Sequence, residues 1–234
     1  MSRHLKQFIY GTLFILIFAA VAGSGYFFFF KPGASCFDKI QNQGEEGVDC
    51  GGPCRQFCLP AAVGPIESIG RIYWFYIDEN HSSLLAQIQN PNSELGARRF
   101  DYNFNIYGDQ GELLGISRGQ SFVYASEARY LFVPSVNVPT TNIERVEFNA
   151  SNPAWEEPRV FKRPQLLIQN QNSALVGREI QVSGTLLNQD SSALAQVEIM
   201  ALFFGKFGQI AAVSRTILDA LTTGETRALS LIHI

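Results

Sequence analysis

Hydrophobic and polar positions change rhythm along the chain. From Phe8 to Phe30 the residues carry no charge, and Lys6 and Lys31 bracket them. As a helix, these 23 residues reach about 34 Å, slightly more than the hydrocarbon thickness of a bilayer. Residues 31–58 have no regular apolar period, and their only bulky apolar side chains are Phe37, Ile40, Val48 and Phe57. From about Ser68 the period becomes two. It is clearest where Phe100, Tyr102, Phe104 and Ile106 alternate with Asp101, Asn103 and Asn105, which predicts a strand with one buried and one wet face.

Gly108-Asp109-Gln110-Gly111 then turns the chain, and Glu112–Ser117 returns as the partner strand. Further strands are predicted at Arg71–Asp78, Leu84–Gln89, Ser121–Tyr124, Ala128–Val133 and Ile143–Asn149. Seven short strands separated by turn residues predict an antiparallel sandwich. The second half repeats this order. Asn90 answers to Asn188, Gly111 to Gly208, Ser117 to Ser214 and Glu127 to Glu225, at offsets of 97 or 98 residues. A constant offset over such a length indicates a tandem duplication.

The fold class is therefore mainly β: an N-terminal transmembrane helix, a small disulfide-rich segment and two tandem antiparallel β-sandwiches. The expected organisation is a cytoplasmic tail (1–7), an anchor (8–30), a disulfide-rich collar (31–58) and a linker (59–67). A first sandwich (68–151), an interdomain linker (152–163) and a second sandwich (164–234) follow. The linker is placed where Pro153, Pro158 and Pro164 interrupt any strand, and Trp155 is expected to wedge the sandwiches together. The first copy continues into a closing strand at Ile143–Asn149, whereas Ile234 lies near the counterpart of Val133. Two explanations stand side by side. Either the sequence is truncated or frameshifted, or a partner's strand completes the sheet at the candidate edge strand bearing Arg227, Leu229, Leu231 and Ile234.

The hairpin Phe104-Asn105-Ile106-Tyr107-Gly108, with Gly184 to Asn188 and Leu221-Thr222-Thr223-Gly224-Glu225 in the second copy, resembles the FxLYD domain family. Members are small immunoglobulin-like sandwiches of bacterial envelope proteins. The resemblance implies that fold and no known catalytic site. Gly108 stands where the family has Asp, and the second copy reads Leu202-Phe203-Phe204-Gly205 without the leading phenylalanine.

The apolar segment has two readings. Arg3 and Lys6 followed by Ala20-Val21-Ala22 before Gly23 fit a cleaved secretory signal. Tyr26 and the phenylalanines from Phe27 to Phe30 favour an uncleaved anchor, because cleavage would leave them as an oily exposed terminus. The flank ahead of the span holds two positive residues and no acid, which keeps it cytoplasmic and sends the rest of the chain outside. With those two charges in the flank, the overall −3 leaves −5 on residues 8–234, a balance that excludes nucleic acid as a main partner.

All four cysteines, Cys36, Cys50, Cys54 and Cys58, fall in the collar. Outside a cell they are expected to form two disulfides, with three connectivities open. Zinc is the rival, although their spacing has no CxxC knuckle. The run from Cys36 to Cys54, with Asp38, Asn42, Glu45, Val48, Asp49 and Gly51-Gly52, resembles a short module of bacterial and other secreted surface proteins. That resemblance implies cell-surface location and no activity. Asp38, Asn42, Glu46 and Asp49 also offer oxygen ligands for calcium, against the alternative of a solvated acidic loop without EF-hand spacing.

No cofactor is expected. His81 with Ser82, Ser83 and Asp78 sits in a turn without a GxSxG elbow, so the cluster reads as surface loop and not as a hydrolytic site. The expected function is a non-enzymatic, membrane-anchored protein that binds a protein or envelope component. The competing class is an extracytoplasmic enzyme accessory subunit or hydrolase.

Overall fold

The computed structural model describes residues 3–26, 35–177 and 179–233. The chain divides into two compact units, Met1–Leu59 and Pro60–Ile234. In the first, α1 (Arg3–Gly25) is apolar on every side and none of its side chains is buried. It is long and apolar enough to cross a membrane. Thr12 and Ser24 donate their hydroxyls back to the carbonyls of Phe8 and Ala20, at 2.9 and 2.7 Å, so neither leaves a polar group unpaired on the helix surface. The helix starts at Arg3, ahead of the predicted Phe8. Phe27 to Phe30 and Lys31, expected to finish and bracket the span, lie outside the described residues. Among its described residues the collar that follows has no helix or named strand, and it is closed by the disulfides Cys36–Cys54 and Cys50–Cys58.

The second unit is built of antiparallel strands, with one 3-10 turn at Thr140–Asn142. Six strands come first: β1 (Glu67–Tyr76), β2 (Ser82–Gln89), β3 (Gly96–Tyr107), β4 (Leu113–Val123), β5 (Ala128–Val136) and β6 (Arg145–Glu156). They form two three-stranded sheets, ordered β1-β2-β5 and β4-β3-β6. Inward side chains of both sheets meet in one core that includes Leu84, Ala86 and Ile88 of β2, Phe100 and Phe104 of β3, and Val146 of β6. Alternation along β3 is what aims Phe100, Phe104 and Ile106 inward.

Five strands follow: β7 (Leu166–Val176), β8 (Glu179–Asn188), β9 (Leu194–Phe204), β10 (Ile210–Leu221) and β11 (Thr226–His233). They pair as β11-β8-β7 and β10-β9. Matching the two sets in order sets β9 against β3 and β10 against β4. The predicted duplication has a structural counterpart in the turns. Gly111 and Gly208 both adopt positive φ, 77° and 79°, and both donate to a glycine carbonyl three residues back. Only glycine adopts that conformation without strain.

Four sequence expectations change. Ser121–Tyr124 is no separate strand, because β4 runs unbroken to Val123. Gly119 does not interrupt it: Tyr102, directly opposite on β3, lays its ring over the space where a Cβ would stand. Nor does Pro153 end a strand. β6 carries it to Glu156, which is tolerated because β6 is an edge strand and its register shifts there, with Asn152 at φ 51°. Finally, Trp155 lies opposite Ala97 and packs on the first core, so it does not wedge the two sandwiches. The segment expected as linker 59–67 also docks early. Ile66 is buried in that core, and Gly64 exchanges two hydrogen bonds with the Asn92 side chain, at 2.8 and 2.9 Å.

Candidate functional site

The collar is held by its crosslinks and by carboxylates that cap turns. Asp49 accepts the N–H groups of Asp38 and Lys39 at 3.0 Å each, and Asp38 accepts those of Ser35 (3.1 Å) and Ile40 (2.9 Å). The Asn42 side-chain amide also donates to Asp38, at 2.9 Å. That bond, and next the Ser35 N–H, hold the Asp38 carboxyl below its ordinary range. Asn42 keeps one buried, unpaired oxygen, Oδ1. Glu45, which is buried, accepts from Asn42 and Asp49 N–H groups at 3.3 and 3.2 Å.

Of the residues named for calcium, Asp38 and Asp49 therefore spend their oxygens on backbone donors, and Asn42 turns its amide toward Asp38. Among the described residues, the carboxylate of Glu46 joins no convergent ligand group with them. The groups that do converge are Cys36, Glu45 and Cys54, but both sulfurs belong to one disulfide and offer no thiolate.

Each sandwich is closed by the same polar corner. Asn90 and Asn188 are both 0% exposed. Asn90 donates its side-chain amide to the carbonyls of Leu95 (2.6 Å) and Tyr124 (2.9 Å). Asn188 donates likewise to Ser192 (3.0 Å), Leu221 (3.1 Å) and Thr222 (3.1 Å). The N–H groups of Asn90 and Asn188 go to the carbonyls of Glu127 and Glu225, at 2.9 and 3.0 Å. The two glutamates then accept the N–H groups of Tyr124 and Thr222, each at 2.8 Å. The repeat at these positions is visible in sequence; the closure of the corner is not.

The corners differ in their cation. Arg227, two residues along the chain, serves Glu225, whereas Glu127 is paired by Arg163, from the segment between the sandwiches. The Thr222 N–H first, and then Arg227, pull the Glu225 carboxyl down to about 2.

The candidate edge residues are engaged from within. Leu229 and Leu231 are buried in the second core, and Arg227 donates to the carbonyls of Asp219 (2.6 Å) and Ala220 (2.8 Å). Ile234 lies outside the described residues. β11 pairs with β8 along Thr226–His233 and forms an edge of its sheet, as its counterpart β5 does. Among the described residues, the second set holds no strand matching β6, the partner of β3.

A cleft of about 640 Å³ opens beside β9, lined by Leu194, Val197, Met200 and Leu202 together with Leu166 of β7 and Tyr130 of β5. Gln196 and Glu198 line it too, and with Met200 and Leu202 they alternate along the strand, so the cleft opens over the outward face of β9. Its wall is fixed by aromatic and cationic groups. Arg129 lies 4.2 Å over Phe122, and Tyr124 stacks on Phe161 at 4.6 Å. Burial first, and then Glu127, raise the Tyr124 phenol above its ordinary value.

His81 is hydrogen-bonded through Nδ1 to Asp78 at 2.7 Å, but Ser82 is buried and donates to the carbonyl of Val138 at 2.7 Å. The pair thus has no exposed serine beside it at position 82. No protein-family model and no curated protein matches the chain.

Proposed function

We propose that the chain is a membrane-anchored, extracytoplasmic binding or structural protein of a cell envelope. It is non-catalytic, and it recognises a protein or surface component through the faces or edges of two immunoglobulin-like sandwiches of the FxLYD kind. The observation that carries this reading is the placement of two disulfides directly after an apolar helix. Such crosslinks persist in an oxidising compartment, and a segment this poor in apolar residues needs them to hold a fold. The basic flank at Arg3 and Lys6 orients the N-terminus to the cytoplasm. Against the enzyme alternative, the carboxylates lining the cleft are engaged in ion pairs: Glu127 with Arg163, and Glu198 with Arg215 at 3.3 Å.

The test is protease digestion of intact cells carrying the protein with tags at both ends, followed by crosslinking and recovery of partners from membranes. The proposal expects residues from 36 onward to be digested, the N-terminal tag to be protected, and a partner to be crosslinked to the sandwiches. A C-terminal tag protected in intact cells and digested only after lysis would overturn it.

A further inference from the structure

We propose that one end of the second sandwich, bearing Leu175, Val176, Lys206 and Phe207, inserts into the headgroup region of an anionic lipid bilayer, the one that holds α1. This rests on the anchored reading above and names a second place at which the chain meets lipid.

The polar corner defines the two ends of this sandwich. The Asn188 side chain bonds to Ser192, Leu221 and Thr222, and its N–H to Glu225, so β8 ends, β9 starts, β10 ends and β11 starts there. The β7–β8 turn and the β9–β10 hairpin therefore lie together at the opposite end. At that end Phe207 is 88% exposed, Leu175 73% and Val176 55%. Gln110, Tyr76 and Ile77 hold the matching places in the first sandwich and are exposed too, with β6 in place beside β3. The exposure thus belongs to the turns and not to what adjoins β9.

The two matching ends differ in chemistry. The first carries four acids, Asp78, Glu79, Asp109 and Glu112. The second carries Arg178, Glu179 and Lys206, a net charge of +1. Along the hairpin Lys206 stands for Asp109, Phe207 for Gln110 and Gln209 for Glu112, while the glycine turn is kept. An acidic, polar turn has its counterpart in a cationic, apolar one, which suits a surface of apolar chains under negative headgroups.

The tip can leave bulk water at low cost because its backbone is satisfied from within. The Gly205 N–H donates to the Gln209 carbonyl at 2.8 Å and the Gly208 N–H to the Gly205 carbonyl at 3.0 Å. The Phe207 N–H donates to the Gln209 side-chain oxygen at 3.1 Å. The Lys206 ammonium lies 6.0 Å from the centre of the Phe207 ring, so it can meet a lipid phosphate while the ring enters the acyl boundary. Size favours lipid over protein: a stable protein interface takes about 20–30 residues a side, far more than two turns supply. Tethering by α1 holds the tip at high local concentration beside one bilayer.

The experiment uses the whole chain reconstituted in nanodiscs of phosphatidylcholine and phosphatidylglycerol. Phe207→Trp places a fluorophore at the tip, Gln110→Trp places one at the matching turn, and the parent supplies the background of Trp74 and Trp155. Both are exposed turn positions, so neither change disturbs a core. Lipid brominated on its acyl chains is expected to quench the tryptophan introduced at 207, and aqueous iodide is expected not to reach it. At 110 the order is reversed. Lys206→Glu, added to Phe207→Trp, is expected to shift the insertion equilibrium about tenfold toward water and to restore quenching by iodide.

Three results would overturn the proposal. One is iodide quenching at 207 as strong as at 110 with no effect of brominated lipid, which leaves the tip in water. Another is shielding of 207 from both quenchers, which assigns the tip to a protein surface. The third is lipid quenching that Lys206→Glu does not alter. A chain that stays out of the discs removes the anchor, and this proposal with it. A chain that enters them with position 207 in water removes the tip site alone and leaves the anchored reading standing.

Discussion

The two sandwiches share their turns and corners and differ in what lies between their sheets. Both have a glycine-closed hairpin, and both bury an asparagine that ties three segments together. Yet the first core spans six strands, from Ile66 to Val146, while the second is reduced to Leu186, Val197, Ile199, Leu221, Leu229 and Leu231 among the described residues. β1 buries Ile72, whereas none of the side chains of its counterpart β7 is buried. The difference traces to one strand. β6 brings Val146, Phe148, Ala150 and Trp155 to the first core, and nothing described occupies that place in the second. Turn chemistry is local, so duplication preserves it; a core depends on how many strands surround it.

This contrast predicts unequal responses to core truncation. Phe104→Ala should destabilise the first sandwich by about 3–5 kcal/mol, because Phe104 is fully buried and its neighbours cannot collapse into the space. Ile199→Ala, at the thinner second core, should cost nearer about 2 kcal/mol. Trp74 and Trp155, the chain's two tryptophans, both lie in the first sandwich, so denaturation followed by tryptophan fluorescence reports that sandwich alone. Exchange over β8 and β9 reports the other. Equal losses would break the contrast.

The corners should behave alike where the cores do not. Asn90→Ala and Asn188→Ala each strand buried carbonyls, and each should cost about 2–3 kcal/mol in its own sandwich. A loss at Asn90 several times that at Asn188 would mean that the second corner is not closed in solution.

The smallest effect concerns acid. The Glu225 carboxyl titrates near 2 when folded, below the 4.5 of an unperturbed glutamate. Its contribution is therefore fully present above about pH 4.5 and is lost as pH falls toward 2. Glu225→Gln should lower the midpoint of second-sandwich unfolding slightly at pH 7, and the gap to the parent should close between those two values. A gap that widens with acid would contradict the hydrogen bonds assigned to Glu225.

Much of the fold was legible because it is written locally. The uncharged run after Lys6 gives a helix, alternation at Phe100–Ile106 gives β3, and the offset of Asn90 and Asn188 marks the repeat. Pairing was not legible. Alternation marks Ile143–Asn149 as a strand but does not show that it lies beside β3, nor which strands of the second set pair with one another. Strand continuity was misread for a similar reason. Gly119 and Pro153 look like breakers until Tyr102 across the sheet, and the edge position of β6, are known. In the collar, Asp38 and Asp49 accept backbone N–H groups, which is set by where the folded backbone aims them and not by their spacing.

The most direct measurement is hydrogen exchange of the monomeric chain compared between β2 and β8, the central strands of matching sheets. A thinner second core predicts slow exchange throughout β2 and faster exchange throughout β8. Protection of β8 equal to that of β2 would contradict it.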